Sequence, residues 1–162
     1  MIQLNKNVCS IIVRRIFIMK RTIDDLLSTY PKPLLEMITG KLLGDGNLTI
    51  QTGRSSRFRF GHSLSDRDWC VHCYQELSQN INLTPPKYRK IIDSRLKTGF
   101  SENIYVQSKT NPIFNLLKDI WYSGRTKVLP AYLIQNVLSP LTIAWWYQDD
   151  GHLKRKEIPL QK

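Results

Sequence analysis

Two apolar, helix-like stretches of this chain each end in an aspartate followed by a glycine, and this repeated ending constrains the fold more than any other feature. The stretches cover residues 37–46 and 141–151. A glycine just past a helix end commonly adopts the left-handed cap conformation, so each stretch is predicted to be a helix whose last turn carries a carboxylate. An acid at that end opposes the helix dipole by ~0.3–1 kcal/mol. A basic chain that makes this choice twice is expected to offset the charge with a cation, in a metal site shared by two helices.

The charge of the chain indicates the kind of partner. The 162 residues include 24 Lys and Arg against 13 Asp and Glu, which gives a formal net charge of +11. The hydrophobic content of 41% is typical of a folded protein, and the length suits one domain of ordinary size. A positive surplus of this size favours a polyanionic partner, with nucleic acid as the first candidate and an acidic membrane surface as the second.

The compartment stays open at this point. Three cysteines, Cys9, Cys70 and Cys73, do not make a disulfide framework, which favours a reducing environment. No apolar run reaches the ~20 residues that a membrane span needs. Since nucleic acid also ranks above a membrane surface as the polyanion, no membrane partner is expected. Residues 1–21 are predicted to be an N-terminal extension, either disordered or a transit segment, with Met19 as an alternative start. A mitochondrion, a plastid and the bacterial cytoplasm are all compatible with these features.

The patterning predicts a helix, two strands, a helix, two strands and a helix, followed by a second copy of the opening helix. Helices are expected at residues 34–45, 66–80, 112–124, 131–138 and from 140 to the second acid, after a short helix at 23–30, and strands at 47–51, 57–60, 88–93 and 103–109. Helices packed on one face of a sheet make an α+β fold.

The predicted strands alternate polar and apolar side chains, so the sheet is expected to have one solvated face. Arg, Asn and Gln on such a face suit contacts to phosphates and base edges. An ordinary solvated surface is the alternative interpretation for Arg57 and Arg59. The candidate nucleic-acid-binding residues are Asn47, Thr49, Gln51, Arg54, Arg57, Arg59, Arg89, Tyr105, Gln107 and Lys109.

The two acid-ended stretches resemble the signature of the LAGLIDADG homing endonucleases. Residues 38–46 fill the nine motif positions, and residues 143–151 fill them again. The segments 125–130 and 138–145 look like the two-motif, single-chain subgroup of this family. The resemblance implies a ββαββα unit with a four-stranded antiparallel saddle sheet over residues 22–138, and a second motif helix with a tail over 139–162.

The resemblance also implies a function, a site-specific, intron-encoded endonuclease that makes double-strand breaks in double-stranded DNA with Mg²⁺ or Mn²⁺. Asp45 and Asp150 would be the catalytic and metal-binding acids. Lys127 aligns with a basic residue near the active centre and would polarise water or stabilise charge. Gly40 and Gly44 are small enough to let the two motif helices approach each other closely.

The chain departs from the family pattern after its second motif. Only residues 152–162 follow, which are too few for a second sheet. Three hypotheses follow: the enzyme is truncated and inactive, its other half is encoded separately, or self-association restores a second sheet. The alternative functions are an intron RNA maturase, which would bind RNA and assist splicing, and a DNA-binding protein that no longer cuts.

Four further features have plain structural interpretations. Cys70 and Cys73 lack the four ligands of a structural zinc site, so Cys73 is expected in the core. His62 is expected to be a partly buried histidine rather than a catalytic base. Asp149 is expected to face solvent or the partner helix. The pair at residues 45–46, taken alone, also suits a simple helix exit turn.

Overall fold

The computed structural model describes the backbone of residues 6–50 and 53–150, and the side chains of this part of the chain from residue 18 onward. A short 3-10 turn at Leu64–Asp66 precedes the third helix. No helix in this described part is both long enough and apolar enough to cross a membrane. In chain order the elements are α1 Lys6–Thr29, α2 Lys32–Leu43, β1 Asn47–Leu48, β2 Phe58–Ser63, α3 Arg67–Ser78, β3 Lys87–Ile92, β4 Phe100–Gln107, α4 Pro112–Trp121, β5 Tyr122–Ser123, β6 Thr126–Lys127, α5 Ala131–Val137 and α6 Pro140–Asp150.

The α+β class and the predicted order of the main helices and strands are confirmed. The helix predicted at 112–124 ends at Trp121, and a short strand pair that the sequence did not predict, β5 with β6, follows it. The largest difference lies in α1, which begins at Lys6 although the sequence predicted a helix only from residue 23. No glycine or proline interrupts residues 6–29, so the predicted start at residue 23 lies inside a longer helix. The helix ends before Pro31, as predicted, because proline restricts the residue that precedes it.

The main sheet has four antiparallel strands in the order β1-β2-β4-β3. The apolar members of β2 and β4 face the helices, as the predicted alternation requires. Ile104 and Val106 are buried, and the ring of Phe58 stacks on Phe114 of α4 at 5.8 Å between centroids. Helix α3 packs against β2 and β4 on this side of the sheet. The other side carries the polar residues and is left open.

Helices α2 and α6 pack against each other more extensively than any other pair of helices. Gly40 of α2 and Gly44, the residue just after the helix, allow this close approach. A Cβ atom added to Gly40 would lie 2.7 Å from Cβ of Trp145 and 2.8 Å from the carbonyl oxygen of Thr142. A Cβ atom on Gly44 would lie 2.6 Å from Cβ of Asp149. Glycine is therefore required at both positions by the neighbouring helix, and the predicted close pairing of the two motif helices is confirmed.

Replacing Gly40 by alanine tests this packing. Helix propensity alone favours alanine by ~1 kcal/mol, whereas overpacking a rigid contact costs ~1–3 kcal/mol. We expect Gly40→Ala to lower the free energy of unfolding in urea denaturation, because backbone and Cβ atoms of α6 occupy the space. Ala144→Gly, at an exposed position of α6, measures the effect of helix propensity without a packing change. It should lower the free energy of unfolding by ~1 kcal/mol. A Gly40→Ala protein that is more stable than the wild type would show that the helices are not in close contact there.

Candidate functional site

The turn that carries Asp45 lies just beyond the end of α2. The helix ends at Leu43, two residues before the acid. The prediction that Gly46 supplies a left-handed cap is wrong, because this glycine does not adopt a positive φ. Its amide instead donates to the carbonyl oxygen of Lys41 at 2.6 Å, and a Cβ atom at this position would lie 2.6 Å from the same oxygen. Glycine is needed here to let the chain fold back against its own helix. The equivalent glycine after α6 lies outside the described residues.

Lys127 of β6 holds this turn in place. Its Nζ donates to the carbonyl oxygens of Leu42 at 2.6 Å, Gly46 at 2.9 Å and Gly44 at 3.5 Å. These carbonyls belong to the helix end and its turn, where the negative end of the helix dipole favours a cation. Burial lowers the pKa of Lys127, opposed by nearby Asp150 and Asp45. The structure therefore places Lys127 at the turn of residues 44–46, which is called the acidic turn below. The hydrogen bonds of Lys127 are directed to the backbone of this turn and of the helix end before it.

A buried ion pair joins α2 to α6 beneath the turn. Nζ of Lys41 lies 2.6 Å from Oδ1 of Asp149, and both side chains have no exposed surface. Asp149 also accepts a hydrogen bond from Nε1 of Trp69 at 2.9 Å, and its Oδ2 accepts one from the amide of Asp45 at 3.3 Å. Of the two predicted environments for Asp149, the partner helix is the one observed. Sequence reasoning overlooked Lys41, although a lysine among apolar motif positions was visible.

The ammonium of Lys41 is enclosed by aromatic rings. It lies 4.8 Å from the ring centroid of Trp69, 5.0 Å from that of Phe60 and 5.9 Å from that of Trp145. The indole rings of Trp69 and Trp145 meet edge to face at 5.4 Å. Such rings attract a cation more strongly where water is excluded. The ion pair is therefore dry and held by four elements of the fold: α2, β2, α3 and α6.

His62 of β2 lies between this ion pair and Asp45. Its Nε2 is 2.8 Å from Nζ of Lys41, and its Nδ1 is 3.3 Å from Oδ2 of Asp45. The imidazole is buried, more completely than the partial burial that the sequence predicted. Burial and the nearby Lys41 ammonium lower the pKa of His62, which favours the neutral ring.

Negative charge is concentrated around Asp45. Burial raises the pKa of Asp45, and the carboxylates of Asp149 and Asp150 raise it further, whereas Lys41 and Lys127 act in the opposite direction. Asp150 is exposed at the end of α6. Lys41 pairs with Asp149, and Lys127 directs its hydrogen bonds to backbone carbonyls, so among the described residues neither lysine forms a salt bridge with Asp45 or Asp150. Carboxylate oxygens in such a position suit Mg²⁺ or Mn²⁺.

One group of side chains in the described part of the chain has metal-ligand spacing. It consists of Asp45, His62 and Asp149, whose nearest ligand atoms all lie within 4.8 Å of one another. Asp45 belongs to this group and to the predicted pair of metal ligands, whereas Asp150 acts on Asp45 from outside it.

The register of the sheet brings the predicted nucleic-acid-binding residues to its open face. Asn47, Arg59 and Gln107 are direct partners across β1, β2 and β4. The guanidinium of Arg59 stacks on the ring of Tyr105 at 4.6 Å. Gln51 lies outside the described residues. The remaining candidates are exposed or partly exposed, and they are Thr49, Arg54, Arg57, Arg89 and Lys109.

Two further polar residues share this face, although sequence reasoning missed them. Lys87 pairs with Tyr105, and Asn103 pairs with both Arg89 and Ser63. The alternation within β3 and β4 could have identified both, since each is two positions from a residue that was chosen. One open cleft runs from this face to the acidic turn, lined among others by Asp45, Asn47, Arg59, Arg89, Asn103 and Tyr105.

The two cysteines of α3 belong to the core. Cys70 and Cys73 are both buried, as predicted for Cys73. Burial raises the pKa of Cys70 to about 11 and that of Cys73 to about 12, so neither thiol is ionised at neutral pH. Their contribution is packing beneath the sheet.

The ion pair makes a prediction that a double-mutant cycle can check. Breaking a buried pair by removing one partner costs ~3–5 kcal/mol, whereas replacing both charges with apolar groups is often neutral. We expect Lys41→Met and Asp149→Leu each to destabilise the fold by about this amount in urea denaturation. The double variant should recover most of the loss. Additive losses in the double variant would mean that the two charges do not depend on each other.

Sequence comparisons with known proteins show similarity to one family of DNA endonucleases. The LAGLIDADG DNA endonuclease family matches residues 35–162. DNA endonuclease I-ChuI of Chlamydomonas applanata is 31% identical over 127 residues, which cover 74% of this chain and 57% of that protein. Cytochrome b mRNA maturase bI2 of Debaryomyces hansenii is 30% identical over 132 residues, which cover 80% of this chain and 49% of that protein.

A solved structure shares the fold. The homing endonuclease I-WcaI, bound to its DNA recognition sequence, matches with a TM-score of 0.60 and 17% identity over 80% of this chain and 56% of that chain. The present chain thus spans about half the length of these relatives. Since the family match covers most of the chain and the two motif helices pack as a pair, this chain belongs to the LAGLIDADG DNA endonuclease family.

Proposed function

We propose that the chain supplies DNA-binding residues and catalytic aspartates to a site-specific endonuclease that makes double-strand breaks. The observation that carries this proposal is the cleft that joins Asp45 to the open face of the sheet. Because this face carries Arg57, Arg59 and Arg89, it is called the basic face below. A duplex that lies on the face would present a backbone phosphate to the acidic turn. The family match and the similarity to I-ChuI support the same reaction.

The open face would supply both affinity and sequence preference. Arg57, Arg89 and Lys109 are exposed and would contact phosphates, which fixes the position of the duplex. Arg59 and Gln107 share one row of the sheet and would reach base edges, where arginine pairs with guanine and glutamine with adenine. Stacking on Tyr105 restricts the rotamers of Arg59 and so lowers the entropy lost on binding.

The acidic turn would supply the chemistry. We propose that Asp45 and Asp150 would hold Mg²⁺ or Mn²⁺, and such an ion would supply neutralisation of phosphate charge and activation of water. The role of this chain is then to hold the two carboxylates in place. Lys127 fixes the backbone of the turn, and the amide of Asp45 is held by Asp149.

A second sheet unit would complete the molecule. Lys41 and Leu42 of α2 are fully buried beneath the sheet. The residues at the same motif positions of α6, Trp146 and Tyr147, are 42% and 46% exposed. We propose that an equivalent unit, from a further segment, a separate chain or a second copy, covers this apolar face of α6 and carries the second half of the DNA contacts.

RNA binding is the alternative function. The maturase bI2 matches at an identity close to that of I-ChuI. The same basic face would then contact intron RNA, and the acidic turn would have no role in splicing.

Cleavage by an Asp45→Asn variant tests the leading proposal. The substrate is the intronless target DNA, a duplex in which the two sequences that flank the intron are joined directly. We expect the wild-type chain, with its second unit where that is required, to cut this duplex with Mg²⁺. The Asp45→Asn variant should not cut, yet it should bind the duplex equally or more tightly, because the substitution removes a ligand and a negative charge without altering the sheet.

Stability measurements check that this variant is folded. The pKa of Asp45 is raised above its ordinary 3.8 in the folded state. As the pH rises, the Asp45 carboxyl therefore ionises at a lower pH in the unfolded chain than in the folded protein. The contribution of Asp45 to stability falls as the pH rises from about 3.8 through the folded-state pKa. Asp45→Asn should consequently be as stable as the wild type or more stable at pH 7. Asp119→Asn, an exposed change on α4, is the matched control. Equal loss of cleavage and binding would refute the role of Asp45, and splicing of the host intron without cleavage would favour the maturase.

The salt dependence of binding tests the basic face. If the face makes ~6–10 phosphate contacts, affinity should fall ~10³–10⁵-fold between about 50 and 200 mM salt. Fluorescence anisotropy with a labelled duplex measures this change. Arg89→Ala should reduce the salt slope by about one, whereas Lys32→Ala, at the start of α2 and away from the sheet, should leave it unchanged. A flat salt profile would exclude a nucleic acid as the main partner.

A further inference from the structure

The imidazole of His62 lies between a cation, the ammonium of Lys41, and an anion, the carboxylate of Asp45. Its Nε2 lies 2.8 Å from the ammonium of Lys41, and its Nδ1 lies 3.3 Å from Oδ2 of Asp45. With Asp45 and Asp149 it also forms the one group of metal-ligand spacing in the described residues. Whether His62 can serve as a ligand depends on which ring nitrogen carries the proton.

Lys41 decides this question. An ammonium has three donor hydrogens and no acceptor, so the nitrogen it contacts must accept. The lone pair of Nε2 is therefore directed at Lys41, and the single proton of the neutral ring lies on Nδ1. That nitrogen is the one nearest Asp45. A protonated ring nitrogen cannot coordinate a metal, whereas its proton attracts the carboxylate oxygen beside it.

The arrangement is fixed by its surroundings. The Lys41 and Asp149 side chains have no exposed surface and His62 has 4%. Nε1 of Trp69 donates to Oδ1 of Asp149, the same oxygen that pairs with Lys41. Because this pocket is enclosed by side chains, water has little access to replace Lys41 as the partner of Nε2.

We propose that Lys41 keeps His62 out of the metal-ligand set and so leaves an all-oxygen site at Asp45 and Asp150. Imidazole ligands favour Zn²⁺ and other late transition metals, whereas carboxylate oxygens favour Mg²⁺ and Mn²⁺. Lys41 is thus a positioning residue that determines which class of cation the acidic turn accepts. This proposal rests on the metal site of the proposed function.

Electron spin-echo measurements on the full chain with bound Mn²⁺ test the proposal, since they detect a nitrogen atom coordinated to the ion. The wild-type chain should bind Mn²⁺ without ¹⁴N coupling. The Lys41→Met variant should show ¹⁴N coupling, because the freed imidazole can present a lone pair to the ion. Zn²⁺ affinity, measured by calorimetry, should rise about tenfold or more in the same variant, as outer-shell changes commonly alter metal affinity by 10–100-fold.

Three variants isolate the cause. Lys41→Met/Asp149→Leu removes the unpaired carboxylate that the single change leaves buried, and should keep the coupling in a more stable protein. Lys41→Met/His62→Gln should lose the coupling, which assigns the nitrogen to His62. Lys32→Met makes the same substitution at an exposed position of α2 and should behave as the wild type.

The outcomes separate this proposal from the proposed function. Nitrogen coupling in the wild type, or no coupling in a folded Lys41→Met/Asp149→Leu protein, would overturn the role of Lys41. A wild-type chain that binds no Mn²⁺ would refute the proposed metal site. In that case the ¹⁵N chemical shifts of His62 test the role of Lys41 without a metal, because they report which ring nitrogen carries the proton. A proton that lies on Nδ1 in the wild type and on Nε2 in Lys41→Met supports the positioning role. A proton on Nε2 in the wild type overturns it.

Discussion

The contact between Lys41 and Asp149 is the interaction on which the rest of this structure depends. Both charges are fully buried, and each would be costly without the other. Because Lys41 lies on α2 and Asp149 on α6, the pair permits one relative position of the two helices. The hydrogen bonds from Trp69 and from the amide of Asp45 extend this constraint to α3 and to the acidic turn. The position of the candidate catalytic carboxylate is therefore a consequence of helix pairing.

The two motif helices interlock through small and large residues at equivalent positions. Gly40 faces Trp145, which is the third residue of each motif copy, and Gly44 faces Asp149, which is the seventh. The second copy can lack the interior glycine because the first copy leaves room for the larger side chain. One glycine per contact is enough to bring the helices together, and the exchange of size between the copies makes the pair asymmetric.

The basic face of the sheet and the turn that carries Asp45 occupy neighbouring but separate parts of the protein. The basic face is formed by strands of the sheet, whereas the acids lie at the ends of two helices. Since the two parts rely on different residues, either can change while the other is kept. This separation is consistent with a family in which relatives named as an endonuclease and as an mRNA maturase have similar identity to the same chain.

The sequence by itself determined the order of the elements, the inward positions such as Val106 and the pairing of two acid-ended helices. The order and the inward positions follow from hydrophobic periodicity, which is a local pattern, whereas the pairing follows from the resemblance of the two motifs to a known family. The roles of Asp45, Asp150 and the basic residues in binding stay predictions. The tertiary structure decided that Gly46 is needed for backbone approach rather than for a left-handed cap, that Asp149 is paired and buried, and that Lys41 contacts His62. Such contacts join residues distant in sequence, and their charges acquire meaning only once folding has removed the water around them.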